Sequence, residues 1–157
     1  REQFREVVDT CRTAIPDAAI GFDVMVGFPG ETEAMFENSR ELIHTTDATY
    51  LHIFPFSKRP GTKAASFGNQ VDSAVKQRRV EILRTLGGEK SRAFYHRFIN
   101  SRREALLETE QLTGDKLKGY TDNYIPIMTD IPHNLPKEPV TVELTELLTD
   151  SVAARIV

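Results

Sequence analysis

Hydrophobic residues in the first half of the chain alternate between helical spacing and short continuous runs. Residues 2–14 place apolar side chains three and four positions apart, which predicts a helix, and residues 31–44 repeat that spacing. Residues 19–28 and 50–56 are apolar runs bounded by glycine or proline, a pattern typical of strands buried on both faces. This order of helix, strand, helix and strand, with short connections, predicts a parallel α/β fold.

The second half of the chain has a different pattern. Residues 71–107 are mostly helical in character, whereas from about Glu104 the sequence shows short alternating segments separated by turn residues. Several short strands with turns between them predict a small antiparallel β-barrel. We therefore divide the chain into an α/β part at residues 1–85, a basic linking helix at 86–103 and a β-barrel at 104–157.

Composition excludes several kinds of protein. Of the 157 residues, 39% are hydrophobic and 27% are charged, which indicates a globular rather than a disordered chain. No apolar run approaches the roughly 20 residues that cross a bilayer, so we expect a cytoplasmic protein with no membrane partner. The single cysteine, Cys11, permits no internal disulfide and no multi-thiolate metal site. Any metal cluster must be ligated outside this chain.

Individual cysteine and histidine residues give little support for chemistry. Cys11 falls on the apolar stripe of the first predicted helix, where we interpret it as a small buried hydrophobic residue. No two histidines stand three or four positions apart on a predicted helix, so we assign no metal site and no catalytic residue. The histidines are His44, His52, His96 and His133.

Charge is segregated along the chain. The net charge of -3 divides into -4 over residues 1–75, +7 over residues 76–103 and -6 over residues 104–157. A basic segment between two acidic blocks indicates an anionic partner more clearly than the total does. Within it, the candidate phosphate contacts are Arg97, Arg102 and Arg103. The alternative is an ordinary solvated helix face.

Both predicted strands end in sequences that suit a ligand site. The first ends in Val26-Gly27-Phe28-Pro29-Gly30 and the second in Phe54-Pro55-Phe56. In parallel α/β folds, ligands bind at the carboxyl ends of the strands. Glycine lets a planar ligand approach the main chain, and two aromatic rings can enclose an adenine. The alternatives are a tight turn whose glycines serve geometry alone, and phenylalanines that belong to the core.

The two strand-end motifs together resemble a known family. FDVMVGFPGETEAMFENSRELI followed by YLHIFPFSKRPGTKAA resembles the second half of the radical S-adenosylmethionine barrel in MiaB-like methylthiotransferases. The tail resembles TRAM, the small OB-like RNA-binding β-barrel of these enzymes. GYTDNYIPI is most similar to the branch that acts on threonylcarbamoyladenosine in tRNA. The resemblance implies a partial TIM-like α/β barrel followed by a TRAM barrel.

The resemblance also implies a cofactor site and an activity. S-adenosylmethionine would be lined by Val26, Gly27 and Phe28 at one strand end and by Phe54, Pro55 and Phe56 at the next. The whole enzyme would add a methylthio group to an adenosine of tRNA, using two [4Fe-4S] clusters. Because the cysteines of those clusters have no counterpart here, we expect this chain alone to be inactive.

The predicted barrel supplies a second candidate site, for tRNA. Amide, phenol and ammonium groups suit unpaired bases and the phosphate backbone, and those clustered around one turn are Lys116, Lys118, Tyr120, Asn123 and Tyr124. The alternative is an ordinary hairpin turn. Two other functions stay open: a methylthiotransferase acting on a ribosomal-protein aspartate, and an RNA-binding protein without catalysis.

The first residues indicate that this sequence is part of a longer one. The chain begins at Arg1, directly in a helical pattern and without methionine, which favours a segment of a larger protein. A partial barrel leaves a strand edge and an apolar face uncovered. We therefore expect this segment to self-associate, as a symmetric dimer.

Overall fold

A computed structural model of the chain describes residues 1–113, 116–131 and 138–157, and the side chains of all of these except 109–113. The described residues form two compact units, one of residues 1–16 and 20–90 and the other of residues 17–19 and 91–157. In chain order the elements are α1 (Glu2–Ala14), β1 (Gly21–Val26), α2 (Glu33–Thr45), β2 (Tyr50–Pro55), a 3-10 turn (Lys63–Ser66), α3 (Ser73–His96), β3 (Arg102–Thr113), β4 (Lys116–Thr121), β5 (Pro126–Asp130), β6 (Val140–Leu147) and β7 (Val152–Ile156).

The first unit is the predicted α/β part. β1 and β2 pair in parallel, with Gly21 opposite Tyr50 and Val26 opposite Pro55. One face of this two-stranded sheet packs against the helices in a core that includes Phe36 of α2. α2 begins where the side chain of Thr32 accepts a hydrogen bond from the Met35 amide, which satisfies one of the unpaired donors of a helix start. The alternation of helices and parallel strands is confirmed.

Two burial predictions in this unit are wrong. β1 and β2 are not buried on both faces, because Met25 and Tyr50 are exposed and alternate with the core residues. The described helices cover only one face of the sheet, and alternate strand residues point to opposite faces. Cys11 is exposed rather than buried, because Val8 is the residue of α1 that enters the core. The predicted self-association through an uncovered edge stays a prediction.

The second unit contains the predicted small barrel. Five strands close in the order β3-β4-β5-β7-β6 around an apolar core that includes Leu117, Ile127 and Leu144. Four of the five pairings are antiparallel, as predicted, and β5 with β7 is parallel. Phe94 and Phe98, from the chain that precedes β3, are buried in the same core.

The basic segment is only partly helical. α3 ends at His96, and β3 begins at Arg102, so Arg102 and Arg103 lie on a strand rather than on the helix in which the sequence placed them. The physical reason is pairing with β6, in which Arg102 is opposite Glu143. Among the helices of the described ranges, none is both long enough and apolar enough to cross a bilayer.

Candidate functional site

The loop after β1 depends on two glycines in left-handed conformations. Gly27 has a φ of 74° and Gly30 a φ of 86°, values that side-chain-bearing residues rarely adopt. The Gly27 amide donates a 2.6 Å hydrogen bond to Oε2 of Glu31. A Cβ added at Gly27 would lie 2.1 Å from Cγ of Lys76. The close approach to Gly27 is therefore made by the Lys76 side chain in this structure, and the contact of Gly27 with a cofactor stays a prediction.

A buried arginine of α3 holds this loop in place. Arg79 is only 3% exposed, and its guanidinium binds the Glu31 carboxylate at 2.5 Å and the Glu31 carbonyl at 3.2 Å. It also contacts Glu33 at 3.0 Å and lies 5.2 Å from the ring centre of Phe36. Arg79 lowers the pKa of Glu33 by hydrogen bonding. The Glu31 carboxylate thus joins the Gly27 amide to a cation 48 residues along the chain.

Lys76, one helical turn before Arg79, reaches the end of the other strand. Its Nζ donates a 3.3 Å hydrogen bond to the carbonyl oxygen of Phe56. The amide of Phe56 in turn donates to the Val26 carbonyl at 2.8 Å. The two strand ends that the sequence singled out are thus tied to each other and to α3.

Aromatic rings form the exposed part of this site. Phe28 is 42% exposed and contacts the buried ring of Phe56 edge to face, with ring centres 5.3 Å apart. Phe67 packs against the other side of Phe28 at 6.2 Å and is also exposed. Phe67 was not predicted from the sequence, because no spacing signal relates it to Phe28 and Phe56. An aromatic surface of this kind fits the flat face of an adenine.

The other predicted cofactor residues differ in their exposure. Val26 is buried in the core of the unit and its carbonyl is already hydrogen-bonded. Phe54 is half-buried and Pro55 is exposed. The Gly27 amide and the Val26 carbonyl are engaged within the chain, and Phe56 is buried. The rings exposed at this end of the sheet are those of Phe28 and Phe67, and contacts of the predicted residues with an adenosyl group stay predictions.

No cluster-binding site is present in the described ranges. Among these residues, no three or more His, Cys, Asp or Glu side chains are grouped so as to hold a metal ion. Cys11 stands alone on α1, and His52 forms a 3.1 Å contact with Asp23. His133 lies outside the described residues. The residues present therefore do not fit an iron-sulfur cluster, which needs several thiolates.

The outer face of the barrel carries most of the predicted RNA contacts. Along β4, burial alternates so that Lys116, Lys118 and Tyr120 face outward. The rings of Tyr120 and Tyr124 lie 5.3 Å apart at 35°, and they are 40% and 67% exposed. Tyr124 has a φ of 66°, an uncommon value for a residue other than glycine. Two neighbouring, accessible phenol rings are a surface on which bases can stack.

Lys116 and Asn123 are engaged within the chain. Lys116 forms an ion pair with Asp130. The Asn123 side chain is only 6% exposed, and its Oδ1 accepts a 2.6 Å hydrogen bond from the Thr121 hydroxyl. Asn123 thus holds the turn that presents Tyr124. Contacts of these two side chains with RNA stay predictions.

A groove lies beside Tyr120 on this face. Its volume is about 250 Å³, and we call it the barrel groove. Lys118 and Tyr120 of β4 face Met128 and Pro126 of β5 across the strand pair, and the turn between β6 and β7 closes one side. The side chains that define the groove are Lys118, Tyr120, Pro126, Met128, Asp150 and Ser151.

The three candidate arginines differ in their surroundings. Arg103 is mostly buried, with a two-point ion pair to Asp122 at 2.8 and 2.9 Å and a contact with Asp17 at 2.7 Å. These carboxylates raise the pKa of Arg103, and the hydrogen bonds that Arg103 donates to Asp122 contribute most. Arg97 lies over the rings of Phe94 and Phe98. Arg102 is exposed on β3. The charge of Arg103 is therefore matched by carboxylates, whereas Arg97 and Arg102 face outward.

Several characterised proteins resemble this chain, although no family model matches it. A threonylcarbamoyladenosine tRNA methylthiotransferase, MtaB, of Rickettsia prowazekii is 36% identical over 83% of this chain and 30% of its own length. The Bacillus subtilis protein of the same name is 37% identical over 81% of this chain and 29% of its own length. A tRNA-2-methylthio-N(6)-dimethylallyladenosine synthase of Maricaulis maris is 36% identical over 85% of this chain and 29% of its own length.

The chain spans about three tenths of the length of these relatives. The names of the relatives specify different modified adenosines, and their identities to this chain are nearly equal. Both names specify tRNA, a modified adenosine and a methylthio group. Identities of 36–37% that extend over about four fifths of the sequence show that the chain belongs to the family of tRNA methylthiotransferases.

Proposed function

We propose that the whole protein is an enzyme that adds a methylthio group to threonylcarbamoyladenosine in tRNA. The observation that carries this proposal is the similarity, over about four fifths of the chain, to relatives that bear this name. The segment GYTDNYIPI, which forms the end of β4, the turn and the start of β5, supports this branch over the dimethylallyladenosine branch.

Mass spectrometry of tRNA nucleosides from cells with and without the gene tests this substrate. We expect the methylthio form of threonylcarbamoyladenosine to disappear when the gene is deleted. Loss of the methylthio group from dimethylallyladenosine instead would assign the other substrate. If both nucleosides persist while a ribosomal-protein aspartate loses its methylthio group, the enzyme acts on protein.

The first unit would hold S-adenosylmethionine at the ends of β1 and β2, as part of a radical S-adenosylmethionine barrel. When bound with a reduced cluster, this cofactor supplies a radical initiator and a methyl group. The chain's own contribution is the exposed aromatic surface of Phe28 and Phe67 against the adenine, with the buried ring of Phe56 packed against Phe28 and with Phe54 and Pro55 at its margin. The clusters would be ligated by cysteines outside this chain, which has only one.

Replacing Phe28 with alanine is expected to weaken S-adenosylmethionine binding by the full-length protein. An aromatic contact contributes about 0.5–1.5 kcal/mol beyond area burial, which corresponds to about a 2- to 12-fold rise in Kd. Isothermal titration with S-adenosylmethionine measures it. Phe4→Ala is the control, because Phe4 is similarly exposed and also contacts a ring, that of Phe22. Equal changes of Kd in the two variants would show that Phe28 does not contact the cofactor.

The second unit would bind tRNA through the outer face of the barrel. Lys118 and Arg102 are exposed cations of this unit, whereas Arg103 is ion-paired and Arg97 packs on two rings. Cations that contact phosphates release counterions, so affinity falls with salt. The acidic residues of the barrel segment favour local contacts over broad electrostatic capture.

The double change Lys118→Ala and Arg102→Ala is expected to weaken tRNA binding and flatten its dependence on salt. Each lost phosphate contact reduces the slope of log K against log salt by about 0.7–0.9. Filter binding between about 50 and 200 mM salt measures the slope. Arg84→Ala, which removes an exposed cation from the first unit, should leave it unchanged. An unaltered slope in the double variant would show that these two cations do not contact phosphates and belong to an ordinary solvated surface.

A further inference from the structure

The barrel groove has the dimensions of a site for one base. Its volume of about 250 Å³ is below the roughly 300–1,000 Å³ of pockets that hold drug-sized ligands. Outward residues of two paired strands form it, with Lys118 opposite Met128 and Tyr120 opposite Pro126. A flat, apolar side next to an ammonium group suits a base attached to its phosphate.

Asp150 gives the groove a chemical selectivity. It lies in the turn between β6 and β7, where the Leu148 amide donates to the Ser151 carbonyl. Burial raises the pKa of the Tyr95 hydroxyl, and the nearby Tyr120 and Asp150 raise it further. Asp150 and Tyr120 both line the barrel groove, which brings the carboxylate and the stacking ring to the same site.

The Asp150 carboxylate is open to a ligand. In the ranges that the structure describes, no side chain or amide donates a hydrogen bond to it, whereas Asp122 and Asp130 are ion-paired. An ionised carboxylate only accepts hydrogen bonds, and it repels phosphate. A group bound beside it must therefore present N–H or O–H donors. The groove is not built for phosphate alone.

Resting on the proposed RNA-binding role of the barrel, we propose that the barrel groove binds an unpaired guanine whose Watson–Crick edge meets Asp150. Guanine presents two adjacent N–H donors on that edge, which match the two oxygens of one carboxylate. Adenine and cytosine place a ring acceptor beside their amino group, and uracil places its N–H between two carbonyls. Tyr120 stacks on the base, and Lys118 lies on the side of the groove that faces the phosphate of the same nucleotide. Two-point pairing of this kind discriminates bases by about 5- to 150-fold.

Short RNAs test this assignment in the full-length protein. Fluorescein-labelled hexauridines that differ only in one central base, guanine, adenine, cytosine or uracil, are titrated by fluorescence anisotropy. We expect the guanine oligomer to bind at least fivefold more tightly than the others. Asp150→Asn should abolish that preference, because the amide replaces one acceptor with a donor. Tyr120→Leu should weaken all four, because the stacking ring is lost.

Glu146→Gln is the matched control, because it removes an exposed carboxylate of β6 that does not line the groove. It should leave the preference for guanine intact. If Asp150→Asn tightens all four oligomers equally, the carboxylate acts only by repelling phosphate, and the guanine assignment fails while RNA binding stands. If neither the oligomers nor tRNA binds the wild-type protein, the RNA-binding proposal itself fails, and the guanine site with it.

Discussion

Replacing Arg79 with methionine is expected to lower the free energy of unfolding of the first unit by about 3–5 kcal/mol. Removing one partner of a buried ion pair leaves the other charge uncompensated, and losses of that size follow. Glu31 is only 14% exposed, and without Arg79 its carboxylate keeps the Gly27 amide as its remaining contact. Urea denaturation followed by circular dichroism measures the loss.

Arg78→Met is the matched control for Arg79. Arg78 is the neighbouring residue on α3, is more than half exposed and pairs with Glu33. An exposed pair contributes about 0–1 kcal/mol, so this variant should unfold nearly as the wild type does. Adding Glu31→Gln to Arg79→Met should recover part of the lost stability, because the unpaired charge is removed. Similar losses of stability in the Arg78 and Arg79 variants would show that the buried ion pair between Arg79 and Glu31 does not stabilise the unit more than an exposed pair does.

Replacing Gly119 with alanine is expected to destabilise the barrel by about 3 kcal/mol, at the upper end of the cost of overpacking. The added Cβ would lie 2.5 Å from the backbone oxygen of Leu106 and 2.9 Å from Cδ2 of Leu107. Gly119 pairs with Leu107 across β4 and β3, so the two strands would have to separate. Thermal denaturation followed in the near-ultraviolet, where the barrel tyrosines absorb, measures the effect.

Gly88→Ala makes the same change in open space. Nothing lies within 4 Å of a Cβ at Gly88, and the residue is inside α3. Alanine in a helix interior is favoured over glycine by about 0.5–1 kcal/mol, so this variant should be slightly stabilised. Changes in stability of opposite sign for the two variants would support strand packing as the cause. Destabilisation by both would indicate a general effect of replacing glycine with alanine.

Local pattern predicted most of the fold. Helical spacing identified α1, α2 and α3, and the apolar runs identified β1 and β2, because these signals lie within single elements. Lys118 and Tyr120 were predicted only as neighbours of one turn, and the burial pattern of β4 in the structure shows that both face outward. The parallel pairing of β5 with β7 was not predicted, because it depends on contacts distant in the sequence. Cys11 was misplaced because an apolar stripe on a helix does not say which of its residues meet the core.

The supporting residues of the candidate sites could not be predicted from the sequence. In the sequence Arg79 is one of several basic residues of α3, and only the fold shows that its guanidinium binds Glu31 in the loop after β1. Phe67 follows a turn-rich stretch with no periodicity. Asp150 is an ordinary turn residue until β6 and β7 bring it beside Tyr120. Each of these residues has its role because the fold brings it into contact with residues that are distant in the sequence.

We propose that the first unit supplies part of the cofactor site of a tRNA methylthiotransferase and that the second unit supplies its RNA-binding surface. The most direct measurement quantifies methylthiolated threonylcarbamoyladenosine in tRNA from a deletion strain that carries either the wild-type gene or a full-length Phe28→Ala, Tyr120→Leu variant. At matched protein levels, the wild-type gene should restore the nucleoside, and the variant should restore much less of it. Full restoration by the variant would contradict the two proposed surfaces. Unchanged nucleosides on deletion would contradict the proposed substrate.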